Sequence, residues 1–137
     1  MLDPWLNAGL KGYPHGAPPL RRSQVGVQGW NVLAGDLPLP LAVLRQGPLQ
    51  HNLGWMQRLV AAQGIALAPH GKTTMSPQLF QAQLAAGAWG ITFANVQQLA
   101  VGVASGVRRA VIANQVLQPQ DLRCLADLQT RHADLQV

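Results

Sequence analysis

The residues best suited to chemistry lie together in Pro69-His70-Gly71-Lys72-Thr73-Thr74, which supplies an imidazole, a primary amine and two hydroxyls within a few positions. They follow the apolar run Ile65-Ala66-Leu67-Ala68, which is of strand type and is broken by Pro69. Strand alternation carried to the end of that run sets Ala66, Ala68, His70 and Lys72 on one side and Ile65, Leu67, Pro69 and Gly71 on the other. An amine and an imidazole then share the carboxyl end of a strand. Of the 10 Lys and Arg residues, only Lys11 and Lys72 are lysine. Arginine stays charged, whereas a partly desolvated lysine can lose its proton and attack a carbonyl carbon to form a Schiff base. Lys72 is therefore the candidate catalytic residue. The competing account of a lysine after a strand is a solvated loop charge.

The elements that must position Lys72 are short α/β units. The stretch 39–44 is apolar and reads as a strand placed at a start or an edge by Pro38 and Pro40. A helix follows, with Pro48 in its first turn, Leu49, Leu53, Met56 and Val60 on one face, and Gly64 just past its end. After the Lys72 loop, Ser76-Pro77 supplies a cap and first position for a helix to about Ala86, closed by Gly87. The runs 91–94 and 110–113 read as further strands. Between them Asn95 and Gln98 form a capping-box pattern for a helix ending at Gly106. Pro119 opens a last helix, and the final residues alternate as if another strand were starting. Strand and helix repeat at about 20 to 26 residues, so parallel strands with right-handed helical crossovers are expected. Ligands bind at the carboxyl ends of such strands, which here bear Lys72, Asn95 and Asn114. A doubly wound sheet and a barrel share this local pattern.

The run PHGKTTMSPQLFQAQLAAGAWGITFAN, beginning at Pro69, resembles the cofactor-lysine region of fold-type III pyridoxal-phosphate enzymes, the alanine-racemase-like barrels. It is most similar to the branch containing D-threonine aldolase, D-serine dehydratase and amino acid deaminases. The similarity runs in register over about 37–118, with a weaker likeness in the 2–30 leader. In that branch the lysine of a PHxKT motif holds the cofactor as a Schiff base, and it matches Lys72. The resemblance implies a partial (β/α)8 TIM-type barrel, with about three βα units here, a cofactor of pyridoxal phosphate, and a small D-amino acid as substrate. The implied activity is that of a lyase or deaminase, of dehydratase or aldolase type, acting on D-β-hydroxy amino acids such as D-serine or D-threonine. The alternatives are a non-catalytic pyridoxal-phosphate-binding protein, or a truncated chain with no activity of its own.

Other cofactor-binding candidates are less sharply marked. His70 could pack beside the cofactor ring or tune the amine, and a satisfied core histidine is the equal alternative. Thr73 and Thr74 could donate to cofactor oxygens, although capping their loop is the commoner use of such hydroxyls. Asn95 suits a helix cap. Asn114 and Gln115 lack a capping pattern, which favours Asn114 as a pocket-lining residue. Ser76 lies at a helix amino terminus, where anions bind, but the family's main phosphate cradle comes from later strands. Members of the branch also use a divalent metal, with ligands late in the chain, and tend to dimerise. A metal and a homodimer are thus implied only for a full-length protein. His15, His51, His70 and His132 show no ligand spacing, so no metal site is expected here.

At 137 residues and 48% hydrophobic content, the chain suits one small globular domain. The expected division is an irregular leader over 1–36, rich in Pro and Gly with a short helix near 5–10, and a barrel part over 37–137. A net charge of +5 raises the question of nucleic acid, but only 11% of residues are charged and the Arg21-Arg22 and Arg108-Arg109 pairs have no interleaved aromatics. No nucleic-acid partner is expected. Cys124 is the single cysteine, which excludes a disulfide framework. No apolar run approaches a membrane span, and the start lacks the basic and apolar regions of an export signal, so a cytoplasmic protein is expected. A closed barrel needs eight βα units and about 250 residues. The chain is accordingly read as the amino-terminal part of a longer enzyme, with an apolar face left unclosed.

Overall fold

Proline placement separates the first third of the chain from the rest, and the computed structural model, which describes residues 3–137, divides there into a unit running to Arg45 and a unit Gln46–Val137. Met1 and Leu2, the first residues of the expected leader and of the start examined for an export signal, lie outside the described residues.

In the first unit β1 (Trp5–Leu6) pairs antiparallel with β2 (Leu20–Arg21), Leu6 standing opposite Leu20. The short helix expected near 5–10 does not form. Asn7 Oδ1 instead accepts the Gly9 N–H at 2.9 Å, the side-chain turn by which Asn competes with helix. Tyr13 is buried edge-to-face against Trp30, with ring centroids 5.5 Å apart, and its hydroxyl donates to the Pro18 carbonyl. Arg21 lies 4.4 Å over the Trp5 ring. These aromatic residues hold the leader's own fold together. Two 3-10 helices follow, Arg22–Val27 and Val32–Ala34. The stretch 39–44 carries no strand. Pro38 and Pro40 have no N–H to give a ladder, and Leu39, Val43 and Leu44 are exposed.

The second unit is regular. Helix α1 (Gln46–Ala62) ends before Gly64, whose φ of 63° only glycine adopts without strain. Helix α2 (Pro77–Ala85) starts at its Ser76 cap with Pro77 in the first turn. Then come β3 (Ile91–Phe93), α3 (Val96–Ala104), β4 (Ala110–Ile112) and α4 (Pro119–Arg131). Strands β3 and β4 pair in parallel, Ile91 with Ala110, Thr92 with Val111 and Phe93 with Ile112.

The run 65–69, expected as a strand, is extended beside β3 but carries only one bridge at its end, His70 opposite Thr92 in parallel. Three bonds of 2.8 Å hold it there: Trp89 N–H to Leu67 O, Thr92 N–H to Pro69 O, and Gly71 N–H to Thr92 O. Pro69 cannot donate, which explains the broken ladder. On the far side of β4, Gln136 bridges Arg109 in parallel, with Ala110 N–H to Gln136 O and Gln136 N–H to Arg108 O both at 2.9 Å. The strand expected to begin at the chain's end is therefore present as a bridge. Four chain segments thus line up in parallel in sequence order, and the α/β class follows.

One face of this ladder is packed. Ile91, Phe93 and Ala110 point to helices α2, α3 and α4, meeting Phe80, Val96, Leu99, Val103 and Leu128. Phe80 and Phe93 touch edge-to-face at 5.4 Å and 84°. Fully burying a ring of this size is worth about 3 kcal/mol. The other face is bare at Val111, which is 42% exposed. Among the described residues no helix is long and apolar enough to cross a membrane.

Candidate functional site

The site is built where the first segment of the ladder ends. Gly71 is buried, and its carbonyl accepts the Met75 N–H at 2.9 Å, so the chain makes a single turn immediately after the segment 65–70 that runs beside β3. A Cβ on residue 71 would lie 2.6 Å from Ile91 Cγ2 and 2.7 Å from Phe80 Cε1. Ordinary carbon contacts are about 3.5–4.0 Å, so only glycine lets the backbone rest on the core here. The consequence is a lysine whose main chain is anchored to the most buried residues of the unit. The alternation that would set Lys72 beside His70 stops at Gly71, and the turn sets the direction of Lys72 instead.

A second restraint comes from α3. The Gln98 carboxamide donates from Nε2 to the Lys72 carbonyl at 3.3 Å and accepts the Ala94 N–H on Oε1 at 2.9 Å. The Gln98 N–H donates to Asn95 Oδ1 at 2.9 Å. Asn95 is thus the expected helix cap, but the returning bond of the capping box falls on Ala94 N–H rather than on that of Asn95. Asn114 Nδ2 donates to the Ala94 carbonyl at 2.7 Å, tying the end of β4 to that of β3. Lys72 and Asn114, two of the residues selected from the sequence, are therefore joined through Gln98 and Ala94.

The remaining candidates are placed more simply. His70 is exposed and shares a sheet face with its bridge partner Thr92, whose Oγ1 donates to the Ala68 carbonyl at 2.7 Å. Thr73 and Thr74 are exposed in the turn. Ser76 accepts the Leu79 N–H at 3.5 Å as a helix cap. Gln98 and Thr92 were missed as parts of the site. Gln98 was visible only as a capping residue, because half of its carboxamide is spent on a partner 26 positions away.

Lys72 is half-buried, and among the described residues its amine makes no hydrogen bond or ion pair. All 5 acidic residues are aspartates, at positions 3, 36, 121, 127 and 134, so none lies on the strand-end loops around Lys72, Ala94 and Ala113. The ion pair Arg108–Asp134, at 3.3 Å, stands at the opposite end of the strands. Asp121 stands in the first turn of α4, after β4, and among the described residues no ion pair joins an aspartate to Lys72. Among the described residues no cluster of three His, Cys, Asp or Glu could hold a metal ion.

No known family profile matches the chain. Two curated proteins do. D-threonine aldolase of Arthrobacter sp. is 36% identical over 89 residues, which is 65% of this chain and 24% of that protein. D-threo-3-hydroxyaspartate dehydratase of Delftia sp. strain HT23 is 35% identical over 101 residues, 74% of this chain and 26% of the dehydratase. Among solved structures, D-threonine aldolase from Filomicrobium marinum superposes with a TM-score of 0.67 at 28% identity, over 69% of this chain and 26% of that one. The Delftia dehydratase superposes with a TM-score of 0.66 at 35% identity, over 72% and 26% of the two chains. A variant of that dehydratase has been solved in a metal-free form. The chain spans about a quarter of the length of these relatives. D-threonine aldolase is one of the enzymes to which the motif around Lys72 pointed.

Proposed function

We propose that this chain, a homologue of D-threonine aldolase and D-threo-3-hydroxyaspartate dehydratase, carries the cofactor lysine of a pyridoxal-phosphate-dependent lyase acting on D-configured β-hydroxy amino acids. The observation that carries the reading is Lys72, a half-buried residue whose amine is unpaired among the described residues, on the first turn after a parallel ladder. The donor set fits an aldehyde cofactor. It consists of one primary amine with an imidazole, two hydroxyls and a carboxamide at neighbouring strand ends, and among the described residues no ion pair ties the amine up. In this reading the four parallel segments are the first of an eight-stranded barrel, entered by ligands at the Lys72 end.

When bound, pyridoxal phosphate supplies an electron sink that lets a bond at the substrate Cα break. The work of this chain's own residues is more limited. Lys72 would hold the cofactor through its amine and, when that amine is free, would hold or pass the proton at the substrate Cα. Gly71 and Gln98 fix the main chain from which that amine reaches. His70, Thr73 and Asn114 present an imidazole, a hydroxyl and a carboxamide at the same end of the sheet, suited to a ring edge and to cofactor oxygens. Asn114 has already committed one N–H to Ala94, so its carbonyl oxygen and remaining N–H are what it offers.

The two relatives' names describe different outcomes from one substrate type, carbon–carbon cleavage and loss of water. The assay separates them. The protein as its gene encodes it, loaded with pyridoxal phosphate, is given D-threonine, D-serine and D-threo-3-hydroxyaspartate. Glycine and an aldehyde identify an aldolase; ammonia and a keto acid identify a dehydratase. A loaded protein that turns over none of them refutes the lyase reading and leaves a cofactor-binding protein. Failure to load refutes both.

A further inference from the structure

We propose that Gln98 is a positioning residue for Lys72, a role beyond capping α3, and that its carboxamide sets how firmly the Lys72 turn is held for cofactor capture. The proposal rests on the cofactor-lysine reading above.

Little else holds the Lys72 peptide. The turn is closed at its start by the Met75 N–H on the Gly71 carbonyl, at 2.9 Å, and Met75 has a φ of 45°, unusual for a residue with a side chain. Such a turn is held by its surroundings rather than by its own preference. Among the described residues, Gln98 is the side chain that bonds the Lys72 main chain. It comes from α3, the element with four residues in the core: Val96, Leu99, Gly102 and Val103. The turn is thereby referred to a rigid helix.

The orientation of the carboxamide is determined by its partners. Ala94 N–H can only donate, so the oxygen faces Ala94 and the NH2 group is left for the Lys72 carbonyl, which can only accept. A glutamate at this position could make the first bond but not the second. The cap and the positioning role are therefore separable: glutamate keeps an acceptor for Ala94 and places a negative charge in the first turn of α3, where the helix dipole favours it. A residue that only capped would tolerate that change.

The test compares Gln98→Glu and Gln98→Met with the unaltered protein, as its gene encodes it. Three quantities are read: thermal midpoint, apparent affinity for pyridoxal phosphate from its visible absorbance, and amide hydrogen exchange at Ala94 and Met75. For Gln98→Glu the expected result is an unchanged or raised midpoint and unchanged Ala94 exchange, with cofactor affinity about three- to tenfold weaker and Met75 exchange faster by a similar factor, the loss of one neutral hydrogen bond. Gln98→Met should weaken the cofactor as much and also expose Ala94. Cofactor affinity within twofold and unchanged Met75 exchange in Gln98→Glu overturn the proposal. Weakening in Gln98→Glu but not in Gln98→Met also overturns it, assigning the effect to charge. If the unaltered protein takes up no cofactor, the functional reading fails by itself. Met75 exchange in the two variants still decides whether Gln98 holds the turn.

Discussion

Adding one methyl group at two different glycines should move stability in opposite directions. At Gly71 a Cβ would sit 2.6 Å from Ile91 Cγ2 and 2.7 Å from Phe80 Cε1, about 1 Å inside normal carbon contact. Ile91 and Phe80 are both fully buried, so neither can swing away into solvent. Relief must come from displacing the 71–75 turn or from repacking the core, and over-packing of this kind costs about 1–3 kcal/mol. At Gly47, in the first turn of α1, nothing lies within 4 Å of the built Cβ and the backbone is helical. There alanine removes unfolded-state freedom and should stabilise by a few tenths to about 1 kcal/mol. Urea unfolding of Gly71→Ala, Gly47→Ala and the unaltered protein, followed by circular dichroism, measures both. In a thermal scan the Gly71 variant should melt on the order of 3 to 12 °C lower. It should also bind pyridoxal phosphate more weakly, because the Lys72 turn is what moves. Equal effects of the same sign at the two positions would refute the close approach of the 71–75 turn to Phe80 and Ile91.

Two smaller predictions follow from local chemistry. Asn95→Ala removes the acceptor of the Gln98 N–H and should cost about 1 kcal/mol by urea unfolding, as loss of a helix cap does; a change below a few tenths would mean the cap is idle. The Asp3 carboxyl is held below the usual carboxylate range, first by the Ser23 backbone N–H, then by the Ser23 hydroxyl, with Arg21 and Arg22 assisting. Its contact with Ser23 should therefore be fully present above the ordinary aspartate range and be lost only as pH falls through the lowered value. An acid titration of the Ser23 amide resonance that reports a carboxyl at or above the ordinary value contradicts this.

The parts of the fold that could be read from the residues are those whose cause is local. Ser76-Pro77 opens α2, and Gly64, Gly87 and Gly106 follow helix ends with φ of 63°, 109° and 96°, because capping and the left-handed backbone depend on the residue itself. The β3 and β4 runs were legible as short apolar segments between turn signals, and each finds its partner in the other. The stretches 39–44 and 5–10 were not. An apolar run becomes a strand only with a partner, and two prolines withhold the donors from the first, while Asn7 turns the chain in the second. The candidate site divides along the same line. Lys72 stood out because lysine is scarce and the surrounding motif is specific. Its tether to Gln98 and the fit of Gly71 under Phe80 depend on residues brought together by folding, and periodicity carries no trace of them.

Lys72 is the amine proposed to take an aldehyde cofactor. Borohydride reduction of the protein equilibrated with pyridoxal phosphate, followed by peptide mass spectrometry, tests it directly. One reduced pyridoxyl group is expected, located on Lys72, abolished by Lys72→Ala and untouched by Lys11→Arg. Label on Lys11 or elsewhere with Lys72 unmodified, or no label at saturating cofactor, would contradict it.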